Sequence, residues 1–194
     1  MDEDAKQPTL RQAHRDYTRA RIIDAAVESL KADAYEGLLV ADVAERAGVA
    51  ERTLYRYFPA RIDLIRATWT HINAMFSETE NPDTPELLIS DPLTAFPAFD
   101  AEEALIRAIV TTRQGKELRL SITSERHAAI KNAVAAARPD LDESAQLRLS
   151  VVAQLLHSSV AWQHIKDYWS LDGKTAGIAV SEALQSLLTM PRRD

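Results

Sequence analysis

Three features of the 194-residue sequence predict an all-α fold. Its apolar residues lean to Ala, Leu and Ile, glycine is scarce at five residues, and apolar positions recur at three- and four-residue spacing along most of the chain. A chain of this length makes one compact unit, or a small module on a larger one, and can bury a real core. It contains no cysteine, so a disulfide framework, a thiolate nucleophile, a zinc–thiolate site and an iron–sulfur cluster are excluded. The fold must stand on packing alone.

The elements follow in order. Residues 1–14 are polar and read as a disordered leader. They lack the apolar centre of a signal peptide, and no run of about 18 apolar residues occurs anywhere, so a cytoplasmic protein without membrane contact is expected. Ile22, Ile23, Ala26, Val27 and Leu30 stripe one side of a helix over about 16–32. Val40, Val43, Ala44 and Ala47 do the same over a short helix that Gly48 closes, and the next two turns stop at Pro59. A longer helix starts at Arg61, with Ile65, Trp69, Ile72 and Phe76 on one face.

Over 77–100 the pattern breaks, and four prolines interleave with Leu87, Leu88, Ile89, Leu93, Phe96 and Phe99. That apolar content predicts an ordered, proline-shaped connection packed on the body, with one helical turn at 85–90; a plain loop is the alternative. Residues 101–114 and 117–137 read as two helices meeting near Gly115. Asp140-Leu-Asp-Glu143 resembles a capping box and opens the longest helix, about 142–169. Asp172 and Gly173 interrupt it, and a last helix covers about 174–189.

The most informative stretch is 40–58, VADVAERAGVAERTLYRYF. Two short helices around the tight turn Ala47-Gly48-Val49 have the layout of a helix-turn-helix, in which small Ala44 permits a close crossing and Val49 fills the angle. The second helix would enter the DNA major groove, whose width fits an α-helix. Leu54 and Phe58, four apart, hold it to the domain. Arg52, Thr53, Arg56 and Tyr57 point elsewhere, with Tyr55 beside them. Arginine can pair with guanine O6 and N7, a threonine methyl can touch thymine, and tyrosine hydroxyls bond phosphate. A helical hairpin with a solvated basic face is the bland alternative.

From about Thr18 to Ile65 the chain resembles the N-terminal domain of the tetracycline-repressor (TetR/AcrR) family of bacterial regulators. The resemblance rests on Arg21-Ile-Ile-Asp-Ala-Ala26, Gly37, Val43-Ala44, Ala47-Gly-Val49, Thr53-Leu-Tyr55, Phe58 and Leu64. It implies a DNA-binding domain over 15–60 and a helical ligand-binding and dimerisation domain over 61–194. It also implies a homodimer that binds a near-palindromic double-stranded operator and represses until a small molecule in the body moves the heads. Thr18, Arg52, Thr53, Tyr55, Tyr57 and Arg61 are the DNA-contacting residues expected on this basis, and Arg56 joins them from its place on the outward face of the helix. Four positions depart from the family pattern. Leu39 and Ala50 replace hydroxyl caps worth about 1 kcal/mol each, Tyr57 stands for a histidine, and Arg61 stands for a lysine.

In the body, Val152, Leu155, Leu156, Ser159 and Val160, with Val180, Ala183, Leu184 and Leu187, are expected to form a two-fold four-helix interface; the monomer core is the alternative role. Trp69, Ile72, Met75 and Phe76 on the fourth helix would face Phe96, Phe99, Ile109 and Trp162 across a ligand pocket, with Ile122 and Trp169 as further candidates. This lining suits a mostly apolar effector, with His71, His157 or Arg113 as polar anchors. The same residues also read as core.

No GxSxG, GxGxxG, P-loop or HExxH motif occurs, so no enzyme activity, cofactor or metal is expected. His157 and His164 are too far apart along a helix to share a metal without other ligands. A net charge of −6 argues against nucleic acid, but it is uneven. Residues 5–66 hold 11 basic and 9 acidic side chains, a balance of +2, whereas 67–194 hold 12 and 17, a balance of −5. Binding should therefore depend on specific contacts more than on bulk charge. The rival reading is a helical small-molecule sensor or adaptor whose head no longer binds DNA.

Overall fold

The computed structural model describes residues 9–32, 39–76 and 81–190. Among them are eleven helices and no strand. Gly37, which contributes to the family resemblance, and residues 1–8 of the expected leader lie outside the described residues. The rest of that leader is corrected, because α1 runs Leu10–Ala32. Thr9 Oγ1 accepts the Gln12 N–H at 3.3 Å, and Gln12 reaches Asp16 one turn on, so this segment is a capped helix without an apolar stripe.

The head comprises α1, α2 (Val40–Arg46) and α3 (Glu51–Tyr57). Ile22, Ala26 and Leu30 of α1 meet Val43 and Ala44 of α2 and Leu54 of α3, all at 2% exposure or less. Gly48 sits at φ +63°, and a Cβ there would lie 2.9 Å from the Arg21 guanidinium that donates to the Ala47 carbonyl. The turn therefore needs glycine for both backbone and space.

α4 (Arg61–Phe76) runs from the head into the body. The proline-rich segment is not an irregular connection: α5 is a helix over Pro85–Ala101. Thr84 Oγ1 caps Leu87 N–H and Pro85 occupies the first turn, where its missing N–H is harmless. Pro92 and Pro97 do each withhold a helical donor. The helix persists because Leu88, Pro92, Ala95 and Phe96 make a buried face at helical spacing.

That face lies on α11 (Gly173–Thr189). A Cβ on Gly173 would approach Phe96 O to 2.1 Å, and one on Gly177 would approach Pro92 O to 2.4 Å, so two glycines one turn apart let the backbones touch.

The two helices expected around Gly115 are three: α6 (Glu103–Thr111), α7 (Arg113–Ser121) and α8 (Thr123–Ala137). The break falls at Thr112, whose extended backbone and hydroxyl cap Gly115 N–H at 3.0 Å. Asp142, not Asp140, caps α9 (Glu143–Leu156), and Asp140 instead holds the Arg138 guanidinium. The expected 142–169 helix is also divided. It stops at His157, and Ser158, extended at ψ 155°, accepts Ala161 N–H to start α10 (Ser159–Trp169). α1 is thus the longest described helix. No described helix is long and apolar enough to cross a membrane.

Asp100, at the end of α5, ties three elements together. It accepts from Trp162 Nε1 at 3.0 Å, Lys166 Nζ at 2.9 Å and the Gly173 amide at 2.6 Å. Burial alone would push its pKa up, but these three donors together hold the carboxyl below its usual range. The carboxylate therefore stabilises the fold above about pH 4, and that contribution is lost as pH falls below it. Asp100→Asn should cost about 2 kcal/mol at neutral pH, read by urea melts. Its deficit against wild type should shrink as the pH approaches about 3; a deficit constant with pH would assign the loss to packing.

Candidate functional site

The second and third helices form a helix-turn-helix whose outer surface is built by default from what the core does not use. Leu54 faces inward and Phe58 closes the helix end, so Arg52, Tyr55 and Arg56 are left exposed on α3. Thr53 and Tyr57 are half-buried at the edges of this face. The Arg56 guanidinium lies 5.5 Å above the Tyr57 ring, which orients both groups. Neither Arg52 nor Arg56 forms an ion pair among the described residues, so both cations are available to a ligand.

A groove of about 530 Å³ runs beside α3, walled by Thr9, Arg11, Gln12, His14 and Arg15 of the α1 region and by Arg56 and Tyr57. Sequence reasoning missed Arg11 and Arg15 because it placed the leader through residue 14 and began α1 near Asp16. The basic residues recur four apart on the extended helix, a spacing that could have shown them. Thr18 is corrected: it is 7% exposed, and its hydroxyl donates to His14 O within the helix. Arg61 remains at the edge of the head, but its guanidinium is 2.6 Å from Glu117 of α7, so a phosphate would have to compete with that carboxylate.

Leu39 and Ala50 occupy the N-cap positions of α2 and α3 in extended conformation, and neither supplies a side-chain cap. Both helices form nonetheless, with Leu54 N–H reaching Ala50 O at 3.1 Å. Tertiary burial outweighs the missing caps.

The second site is a cavity of about 60 Å³ under α4. The sequence-predicted Trp69, Ile72, Phe76, Phe96, Phe99, Ile109 and His157 all line it. Phe99 stands edge-on to Phe76 at 5.1 Å and stacks beside Phe96 at 5.6 Å, forming an aromatic wall.

Several expectations fail for positional reasons. Met75 is 42% exposed on the outer side of α4, Trp169 is 70% exposed, and the Arg113 side chain projects into solvent near Glu117. Trp162 is fully buried behind Phe99, with its indole N–H committed to Asp100. Ile122 is buried without lining the cavity, and His71 sits 3.6 Å from Asp24.

Polar residues not anticipated from sequence also line it: Asn73, Asp91, Arg126 and Ser158. His157 Nε2 lies 2.7 Å from Asp91 Oδ2, an ion-pair separation when the imidazole is protonated. Asp91 was hidden inside the segment read as a connection. Arg126 comes from a helix whose exposed and buried residues give no strong periodic signal.

The expected interface residues divide in the same way. Val152, Leu155 and Val160 are exposed at 45%, 58% and 39%, beside exposed Val151. Leu156, Ala183 and Leu187 are half-buried, and Ser159 lines the cavity. Val180 and Leu184 are corrected: at 2% and 0% exposure they belong to the subunit's own core, because that side of α11 is pressed onto α5.

A three-helix head carrying arginine and tyrosine on its third helix defines a helix-turn-helix protein. Residues 22–68 match the model for bacterial regulatory proteins of the tetR family, so the head is similar to the DNA-binding domain of those proteins. The HTH-type transcriptional repressor KstR of Rhodococcus jostii is 39% identical over 66 residues, covering 34% of this chain and 28% of that protein. The HTH-type transcriptional repressor LfrR of Mycolicibacterium smegmatis is 39% identical over 66 residues, covering 34% of each. The matches thus span about a third or less of those curated relatives. A crystal structure of a TetR transcriptional regulator from Rhodococcus sp. RHA1 aligns over 92% of this chain and 99% of that one, at 21% identity and a TM-score of 0.45.

Restoring a hydroxyl at the start of the third helix tests the capping argument. Ala50→Ser should raise unfolding stability by about 0.5–1 kcal/mol in denaturant melts. An unchanged midpoint would mean that the α3 terminus is already satisfied by solvent.

Proposed function

We propose that this chain is a homodimeric transcriptional repressor that binds a near-palindromic operator and releases it when a small effector enters the body. The unpaired cationic and phenolic face of α3, continued by Arg11 and Arg15 along the α1 groove, is the observation that carries this reading. Arg52 and Tyr55 are placed to meet base edges, whereas Arg11, Arg15, Arg56 and Tyr57 suit the flanking phosphates. The named repressors KstR and LfrR, alike over the head, support the same assignment.

Dimerisation is assigned to the exposed apolar side of α9 and the start of α10: Val151, Val152, Leu155 and Val160. Half-buried Ala183 and Leu187 of α11 supply the second helix of each half-bundle. Arg52 then reads one half-site on each subunit, and the two α3 helices in the bound state lie about 34–36 Å apart.

Effector response is assigned to α4. Its 16 residues carry Arg61 at the head and Trp69, Ile72 and Phe76 at the cavity. A ligand that widens the cavity must displace this helix, and the displacement is transmitted to the Arg61–Glu117 pair and the head. The adaptor reading draws on the uncapped Leu39 and Ala50, but those positions do not prevent α2 and α3 from forming.

The assignment is tested by mobility shift of the protein on its own upstream DNA. A complex that weakens steeply with salt is expected, because several phosphates are neutralised in each half-site. Arg52→Ala should change the order of preference among operator variants, at about 1–3 kcal/mol for the base it reads, while Tyr57→Phe should weaken every site alike. Folded dimer that gives no shift at low salt contradicts DNA binding. Equal losses on all sequences for both variants contradict the division of roles.

A further inference from the structure

Two arginines of the body, Arg119 and Arg126, form no ion pair among the described residues. Arg126 of α8 lines the inner cavity and also a groove of about 480 Å³, whose walls are Lys116, Arg119 and His127 on one side and Val151, Leu155 and Val160, assigned above to the dimer interface, on the other. Arg126 and Ser158 are the two residues that line both, so cavity and groove meet there. The Arg126 guanidinium carbon lies 5.2 Å over the Trp69 ring, so the cation rests on an aromatic floor.

Burial, and then the like charge of Arg119, push the Arg126 guanidinium below its ordinary range; the charge of Asp91 offsets only part of this. Asp91 itself stands 2.7 Å from His157. Burial depresses Arg119 as well.

Such crowding of like charge is unfavourable unless an anion relieves it, and it occurs in a body whose overall charge is negative. A second orphan adjoins it. Trp69 is 6% exposed, and its indole N–H has no acceptor among the described residues. Phe96, Phe99, Ile106 and Ile109 of the same cavity lining offer only apolar surface.

We infer that this junction is the binding site of a small amphipathic carboxylate, its head paired with Arg126 beside Arg119 and its apolar tail directed among Phe96, Phe99, Ile106 and Ile109. The inference deepens the effector assignment above and rests on it. Arginine's planar fork matches a carboxylate in two parallel hydrogen bonds. The cavity has room for only a few waters, so the tail must push Trp69 and Phe76 apart from α5, which is the displacement that effector response requires.

The test uses the full-length protein titrated with octanoate and with 1-octanol, followed calorimetrically and by tryptophan fluorescence. Octanoate should bind at least about tenfold more tightly than the neutral alcohol. Arg126→Gln should remove about tenfold or more of the octanoate affinity while leaving octanol within about twofold. Arg126→Lys should recover part of the loss, and Arg119→Gln, on the groove wall but not on the cavity, should show a smaller loss of the same sign.

Equal affinity for acid and alcohol overturns the inference, as does undiminished octanoate binding by a folded Arg126→Gln protein or no octanoate binding at millimolar concentration. The mobility shift without octanoate separates this from the repressor assignment: a protein that shifts DNA but ignores octanoate loses the carboxylate site alone. Octanoate binding that leaves the DNA complex intact keeps the site and removes its coupling to release.

Discussion

The buried face of α4 is the constraint on which the rest of the molecule depends. Leu64 and Ile65 pack into the head, Thr68 turns its hydroxyl onto Leu64 O, and Trp69, Ile72 and Phe76 form one wall of the cavity. All six lie on one helix of 16 residues, about 24 Å long, without a glycine or proline to absorb a bend. A close-packed face of this kind transmits displacement rather than damping it. The head and the cavity are therefore mechanically one element, and the Arg61–Glu117 and Lys31–Glu102 pairs add polar links between the same two halves.

Packing elsewhere makes α4 the element that the proposed effector would displace. α5 and α11 touch backbone to backbone through Gly173 and Gly177, and Asp100 holds α5, α10 and α11 with three hydrogen bonds. That block is rigid. Arg107 adds to it by pairing with Glu103 at 2.7 Å and Asp167 at 2.6 Å. The cavity lies between this block and α4, so filling it pushes on the less constrained partner.

Much of this was legible in the sequence where periodicity and turn chemistry agreed. The α2–turn–α3 unit was readable because Val43, Ala44, Gly48 and Leu54 each have one structural solution there. The aromatic half of the cavity was readable from the Trp69, Ile72 and Phe76 stripe. Three things were hidden, each for a stated cause. Proline outweighed the Leu88, Pro92, Ala95 and Phe96 spacing and concealed α5, and with it Asp91. The breaks at Thr112, one residue, and at His157–Ser158, two residues, are made by hydroxyl caps inside apolar runs, so they leave no gap in the pattern. The burial of Val180 and Leu184 against α5, and the exposure of Met75, depend on which helix lies opposite, a tertiary fact that the spacing along one helix cannot carry. The uneven charge was visible, and its meaning sharpened: α1 extends the basic head to Arg11, while the acidic body carries a basic groove around Arg126 and Arg119.

The coupling of head to cavity through α4 is tested most directly by amide hydrogen exchange with and without operator DNA. Operator should slow exchange on α3 and, continuously, along α4 from Arg61 to Phe76, where the helix reaches the cavity. Protection confined to α1–α3, with α4 exchanging as in the free protein, would contradict the account.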